Sequence, residues 1–387
     1  MCEAGLRRID FTWVTDRAGL LELASCLAES PWHALDSESN SGFVYRERLC
    51  LLQLNVAGRL WLVDLLALEE GERSLEPLRP ALESSEQTTY VHGGEFDVGC
   101  LKRDYAIALG GVWDSQQAAS FLGWEKTGYG VLVERICGVR LPKAYAHYDW
   151  SRRPLDQEPL AYALSDVDYL PRVCEQLRRE VRAADLEEEV GIANRAVEQA
   201  TWSSLDPSRD FWRVKGVRRL PESALPVLAA LLDWRETTAR RLDRPPGLLL
   251  NNELLLAISR SQASDLDSLR RLGFRGRRLR ELGVELIATL RSAHRRPPEV
   301  SEPPPRRRRE PAEEKRRERL RSWRREEAER RGVPQRVVLP AVALRHLQRE
   351  GAEDLDSVPQ LGAKRIARYG RRLRELCGVA DSLGHEG

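Results

Sequence analysis

The chain holds no uninterrupted apolar run of about 18 residues, the length a membrane-crossing helix requires, so nothing in it reads as a transmembrane segment. Its first residues, MCEAGLRRIDF, lack the apolar stretch of a secretory signal, which gives the expectation of a cytoplasmic protein. Cysteine is present but unorganised. Cys2, Cys26, Cys50, Cys100, Cys137, Cys174 and Cys377 are scattered, with no CxxC pair and mostly apolar neighbours. Such spacing argues against a zinc or disulfide framework and fits reduced, buried thiols.

What is present points to several domains. At 387 residues and 42% hydrophobic, the chain can build two or three cores. The net charge of +2 conceals an asymmetry. Residues 1–204 carry 21 Lys+Arg against 33 Asp+Glu, whereas residues 205–387 carry 41 against 27. An acidic front and a basic back fit a metal-using catalytic part joined to a polyanion-binding part. Solvated surfaces can drift to the same asymmetry, so motifs must decide.

The front half reads as β structure followed by helices. WHALDSES, LCLLQLNV and LWLVDLL are apolar strand patterns, the last two flanking the turn residues AGR, and TTYVHGG ends a strand on glycine. Helical patterns follow in EFDVGCLKRDYA, DSQQAASFLG and GYGVLVERICG. The loop LPKAYAHYDWSRRPLDQ then leads into one long helix expected over 158–182. Strands first, then helices alternating with strand material, predict an α/β sandwich around a mixed sheet.

After Trp202 the pattern is helical, rich in Leu and Arg. Residues 294–312 are proline- and charge-rich and read as a linker, with the run Arg306–Arg309 a candidate electrostatic tether. On either side lies a repeat at an offset of 89 residues: Trp234-Arg235 recurs as Trp323-Arg324, DLDS at 265–268 recurs at 354–357, and Leu272-Gly273 recurs as Leu361-Gly362. These are two copies of one small helical domain.

The acidic positions are more specific. Asp36 and Glu38 alternate along a strand and so share a face. Asp97 opens a helix after a strand, and Tyr162 and Asp166 lie one turn apart on a helix. Clustered carboxylates need positive charge among them, which hard divalent cations supply. Two such ions about 4 Å apart promote phosphodiester cleavage. Each piece has a plainer reading. D-x-E is common, Asp97 suits the first turn of any helix, and Tyr162 with Asp166 suits a surface pair.

Taken in order, D-x-E, a helix-opening Asp and Y-x-x-x-D resemble the tyrosine-bearing branch of the DEDD 3′–5′ exonuclease superfamily. ALDSES…RLCLLQLNVAGRLWLVDLL, YVHGGEFDVGCL, WDSQQAASFLG and YDWSRRPLDQEPLAYALSDVDYL are similar, segment by segment, to the ribonuclease D family over residues 30–180. The repeated modules resemble the HRDC domain, of which that family carries two. The resemblance implies an RNase H-like mixed-sheet exonuclease domain (1–204), a first HRDC-like all-α domain (205–293), the linker (294–312) and a second HRDC-like domain (313–387). It implies that Asp36, Glu38, Asp97, Tyr162 and Asp166 are catalytic. Asp36, Glu38 and Asp166 would hold one Mg2+ or Mn2+, with Asp97 near a second that Asp36 also touches. Tyr162, with an ordinary pKa of about 10, would orient the attacking water rather than deprotonate it. The implied activity is exoribonuclease trimming of RNA 3′ ends, tRNA precursors among them, releasing nucleoside 5′-monophosphates. The third motif carries Leu164 and Ser165 where small residues are usual, and AYAHYDW departs from the Lys-Ser or Gln-Thr usual before Asp-Trp.

Alternatives are a 3′–5′ DNA exonuclease and a non-catalytic nucleic-acid-binding protein on the same fold; the intact acidic set argues against the latter. Phosphate contacts are expected from His92, Arg153, Arg275, Arg277, Lys364 and Arg365, the last two in a Leu-Gly-x-Lys turn whose glycine lets backbone amides approach phosphate. Tandem modules in one chain favour a monomer. Removing residues 206–387 is expected to weaken binding while sparing slow cleavage of short oligomers.

Overall fold

The computed structural model describes residues 10–68, 75–142, 145, 147–202, 211–261, 263–303 and 310–378; the Arg306–Arg309 run lies outside them. The chain divides into two compact units, one of Met1–Ser39, Leu49–Trp202 and Arg308–Gly387, the other of Asn40–Arg48 and Ser203–Arg307.

In the first unit β1 (Thr12–Val14), β2 (Trp32–Ser39), β3 (Leu49–Val56), β4 (Arg59–Asp64), β5 (Thr88–Val91) and β6 (Val112–Asp114) form one sheet in the order β1-β4-β3-β2-β5-β6. β2, β3 and β4 run antiparallel, while β1 on β4, β5 on β2 and β6 on β5 are parallel. The sheet is mixed, as the pattern implies. The turn between β3 and β4 is made by Ala57 and Gly58, both at positive φ (49° and 91°), the geometry a two-residue hairpin demands.

Helices cover both faces. They are α1 (Arg17–Glu29), α2 (Arg79–Leu82), α3 (Glu95–Tyr105), α4 (Ser115–Phe121), α5 (Tyr129–Cys137), α6 (Gln157–Asp168), α7 (Leu170–Ala183) and α8 (Glu187–Glu198). β3 is buried throughout, so its alternating side chains feed two layers. Leu52, Leu54 and Val56 pack with Leu20, Leu23 and Leu27 of α1 and Val98 and Leu101 of α3. On the other face Leu51 packs with Ala163, Leu164 and Val167 of α6. The single helix expected over 158–182 is two, because Pro171 lies in the first turn of α7, where its missing N–H costs nothing, and cannot continue α6.

His33 of β2 is fully buried, its Nε2 3.0 Å from Thr89 Oγ1, and burial pulls its pKa down to about 4. The unfolded imidazole protonates near about 6.5, so stability is intact above that pH and is lost as pH falls toward 4. The loss amounts to about 3 kcal/mol at about 1.36 per unit. The thermal midpoint should therefore drop between pH 6.5 and 4, and a His33→Gln variant should show a shallower drop in the same scan.

The second unit is helical: α9 (Leu225–Leu242), α10 (Pro246–Leu249), α11 (Asn252–Arg260), α12 (Leu266–Leu272) and α13 (Gly276–Arg295), around a core including Leu231, Trp234, Leu255 and Phe274. The repeat re-forms within the first unit as α14 (Pro311–Arg331), α15 (Gln335–Val338), α16 (Ala341–Glu350) and α17 (Ala363–Cys377). α10 and α15, like α11 and α16, begin 89 residues apart. The counterpart of α12 is only turns.

This second module is fastened to the sheet-bearing part. Val337, fully buried, shares a cluster with Phe121, Val173, Leu177, Leu186 and Val190. Lys364 Nζ lies 2.7 Å from the Asp185 carboxylate, and its backbone N–H donates to Glu188 Oε1 at 3.0 Å.

Candidate active site

Strand alternation in WHALDSES turns Asp36 and Glu38 toward α6 and Ser37 away from it. α6 presents Tyr162 and Asp166 to the same place. One carboxylate oxygen from each of Asp36, Glu38 and Asp166 lies within 4.8 Å of the others. Asp97, in the first turn of α3, stands outside that trio. It is buried and accepts a hydrogen bond from Ser37 Oγ, so β2 supplies ligand-type groups on one face and a support for Asp97 on the other.

Packing acids together in an apolar setting raises all of them. Burial first, then the charges of Asp97, Asp166 and Glu38, push Asp36 well above the carboxylate range. Burial and then Asp166 push Glu38 up to about 9. Asp166 is raised to about 7 by burial and then by Asp97, and Asp97 to about 6 mainly by burial. Anionic groups so arranged lack a counter-charge. Gln53, paired across the sheet with Asp36, is fully buried with neither side-chain atom hydrogen-bonded. Clustered carboxylates beside an unsatisfied amide fit a hard divalent cation with its water shell. Asp36, Glu38 and Asp166 would hold it, with Asp97 beside them.

Tyr162 is fixed by aromatic neighbours from the AYAHYDW loop. Trp150 stacks at 6.2 Å and 28°, and Tyr145 lies at 5.9 Å. Burial, then the charges of Asp166, Glu38 and Asp36, push its phenol further above its ordinary value, so it stays protonated and acts as a hydrogen-bond donor.

The turn that delivers Asp97 depends on a residue the motif reading missed. Asp114, fully buried at the end of β6, accepts from the backbone N–H of Gly93 (3.1 Å), Gly94 (3.0 Å), Gln116 (2.7 Å) and Gln117 (3.2 Å). It thus joins the β5–α3 turn to the start of α4. Gly94 must be glycine here, since a Cβ would lie 2.8 Å from Val91 Cγ2. The signal was available: an Asp just before a helical pattern is an N-cap. Gln53 gave no such signal, because a polar residue inside an apolar strand pattern does not reveal what it faces.

Several expected phosphate contacts are corrected by the structure. Arg153 engages all its donors internally: Nε and Nη2 on Asp64 at 2.7 and 2.6 Å, and the rest on the carbonyls of Trp150, Arg152 and Cys50. Arg365 is 2% exposed and donates to the carbonyls of Val337, Gln360, Leu361 and Arg336. Arg153 has no donor left for phosphate, and Arg365 is too buried to offer one. Lys364 is held by Asp185 and Glu188 in the module contact described above. His92 is held neutral, its pKa lowered to about 4 by burial, with Nδ1 2.8 Å from Ser115 Oγ. Arg275 is exposed at the start of α13, and the nearby Arg277 pairs with Glu281 at 2.5 Å.

Comparison with known proteins agrees with this construction. A 3′–5′ exonuclease domain family matches residues 11–182, and the HRDC domain family matches 224–290 and 313–377. A ribonuclease D of Granulibacter bethesdensis is 31% identical over 289 residues, covering 73% of this chain and 71% of that protein. The exosome complex exonuclease RRP6 of Saccharomyces cerevisiae is 27% identical over 261 residues, covering 64% of this chain but 35% of that protein. The crystal structure of Escherichia coli RNase D, described as an exoribonuclease involved in structured RNA processing, shares the fold with a TM-score of 0.71. It is 24% identical and covers 95% of this chain and 98% of that one. With an exonuclease domain, two HRDC domains and that degree of identity to a ribonuclease D, the chain belongs to the ribonuclease D family.

Proposed function

We propose that this 3′–5′ exoribonuclease trims RNA 3′ ends by metal-dependent hydrolysis, releasing nucleoside 5′-monophosphates, with tRNA precursors among its substrates. The observation that carries the reading is the convergence of Asp36, Glu38 and Asp166 beside Tyr162. Bound there, two Mg2+ or Mn2+ ions would supply the charge that acidifies the attacking water and neutralises the leaving oxygen. The chain's own part is positional. The carboxylates set where positive charge can sit, and Asp114 holds the turn that brings Asp97 up. The protonated Tyr162 phenol orients the attacking water by hydrogen bond, and the Tyr145 and Trp150 rings keep it from swinging away. The protein acts as a cytoplasmic monomer, and among the described residues no helix is long and apolar enough to cross a membrane.

The test compares a 5′-labelled RNA bearing a single-stranded 3′ tail with its DNA counterpart. With Mg2+ the RNA should shorten one nucleotide at a time, and EDTA should stop it. Faster shortening of the DNA would overturn the choice of substrate.

A further inference from the structure

The two helical modules share a register yet differ at one face. In the first, Leu228 and Leu232 of α9 and Leu256 of α11 belong to the apolar core, and the segment bearing Phe211 and Val217 packs over them. Gly216 comes so near that a Cβ there would lie 3.0 Å from Leu256 Cδ1. In the second module the residues 89 positions on are Arg317, Arg321 and Arg345. Instead of an apolar contact, α14 and α16 border a groove of about 730 Å3 lined by Arg317, Arg321, Arg324, Arg325, Arg345 and Gln348.

These arginines have few partners at home. Arg321, Arg325 and Arg345 are exposed, and among the described residues none makes an ion pair or hydrogen bond. Gln348 is 2% exposed with its Nε2 unpaired, and Arg317 Nε is a second buried donor without an acceptor. Two acids also line the groove: Glu314, 3.9 Å from Arg317 Nε, and Glu318. Five guanidinium groups outnumber them. Positions 317, 321, 324 and 325 follow one face of α14, so the donors form a row along the helix. Guanidinium forks in a row match successive phosphates better than isolated carboxylates.

We propose that this groove holds the phosphodiester backbone of the RNA substrate, upstream of the 3′ end being hydrolysed. The proposal rests on the exoribonuclease reading above. It also gives the second module a grip at a place other than its Leu-Gly-x-Lys turn, which the contact with Glu188 already uses.

The experiment uses the full chain carrying Arg321→Gln, Arg325→Gln and Arg345→Gln together, all at exposed positions. Fluorescence anisotropy with a 3′-tailed hairpin RNA should show binding at least tenfold weaker. The slope of log affinity against log salt should shrink by about 2, for three contacts at about 0.7 each. Turnover of a trinucleotide should be unchanged. Wild-type affinity and salt slope in the triple variant would overturn the proposal, including the case in which the groove takes an acidic protein instead. If the wild-type chain fails to hydrolyse the trinucleotide, the exoribonuclease reading fails, and the anisotropy comparison still decides the groove.

Discussion

Asp36→Asn should slow nucleotide release by at least about 10³-fold and, in EDTA, raise the melting temperature. The two effects share one cause. Asp36 stands at the centre of the acidic group, repelled by Asp97, Asp166 and Glu38 and stripped of water. With divalent ions bound, its charge is needed, and losing one charge-stabilising contact costs about 3–4 kcal/mol in the transition state, or about 10²–10³ in rate. Asp36 is expected to serve both ions, hence the upper end or beyond. Without ions the same charge is a burden. Its raised folded pKa means that its contribution is present at low pH and lost as pH rises through that value, so metal-free wild type weakens toward alkaline pH. Asparagine removes the repulsion, so the gain in melting temperature should be larger at pH 8 than at pH 5. A structural role for Asp36 would lower stability instead, and calorimetry with and without EDTA separates the two. Tyr162→Phe removes a hydroxyl and no charge. It should cost about 10² in rate and leave the pH dependence of metal-free stability as it was.

Val337→Asp should destabilise the first unit by about 3–5 kcal/mol. The site is fully buried between the second module and Phe121, Val173, Leu177, Leu186 and Val190. The substitution loses about 1.5–3 kcal/mol of apolar burial and places a carboxyl among apolar side chains. Calorimetry should show an earlier transition. An unchanged melt would mean that the module does not depend on this contact. Lys364→Ala should cost less, about 1–3 kcal/mol, because it removes a pair with exposed Asp185 together with the cation 3.7 Å from the buried Glu189 carboxylate. The packing also revises the truncation expected from sequence. Deleting residues 206–387 would uncover the apolar cluster that Val337 caps, so such a protein should aggregate rather than persist as a slow, intact exonuclease.

The acidic site was legible because its chemistry is written in residue identity and spacing. Period-two and period-four patterns put Asp36 with Glu38, and Tyr162 with Asp166, on shared faces; that the two faces meet followed from the resemblance to the family, and the repeat announced two modules by its constant offset. What was not legible depended on who faces whom. Arg153 and Arg365 are chemically suited to phosphate, and only the fold shows their donors satisfied by Asp64 and by backbone carbonyls. The break at Tyr169 was missed because apolar periodicity continues across it, while Pro171 restarts the backbone as a new helix. β1, three residues long, was too short to carry any alternation.

The paired modules bear on what counts as the interior of such a domain. Positions that are core in one copy are surface in the other, although the helices keep their register. Interior is therefore not a property of the helical scaffold at those sites; it is conferred by whatever strand of chain lies across them. In the second module the same helical positions carry arginines that line a groove, while Leu320, Leu347, Leu355 and Leu373 hold the module together beneath them.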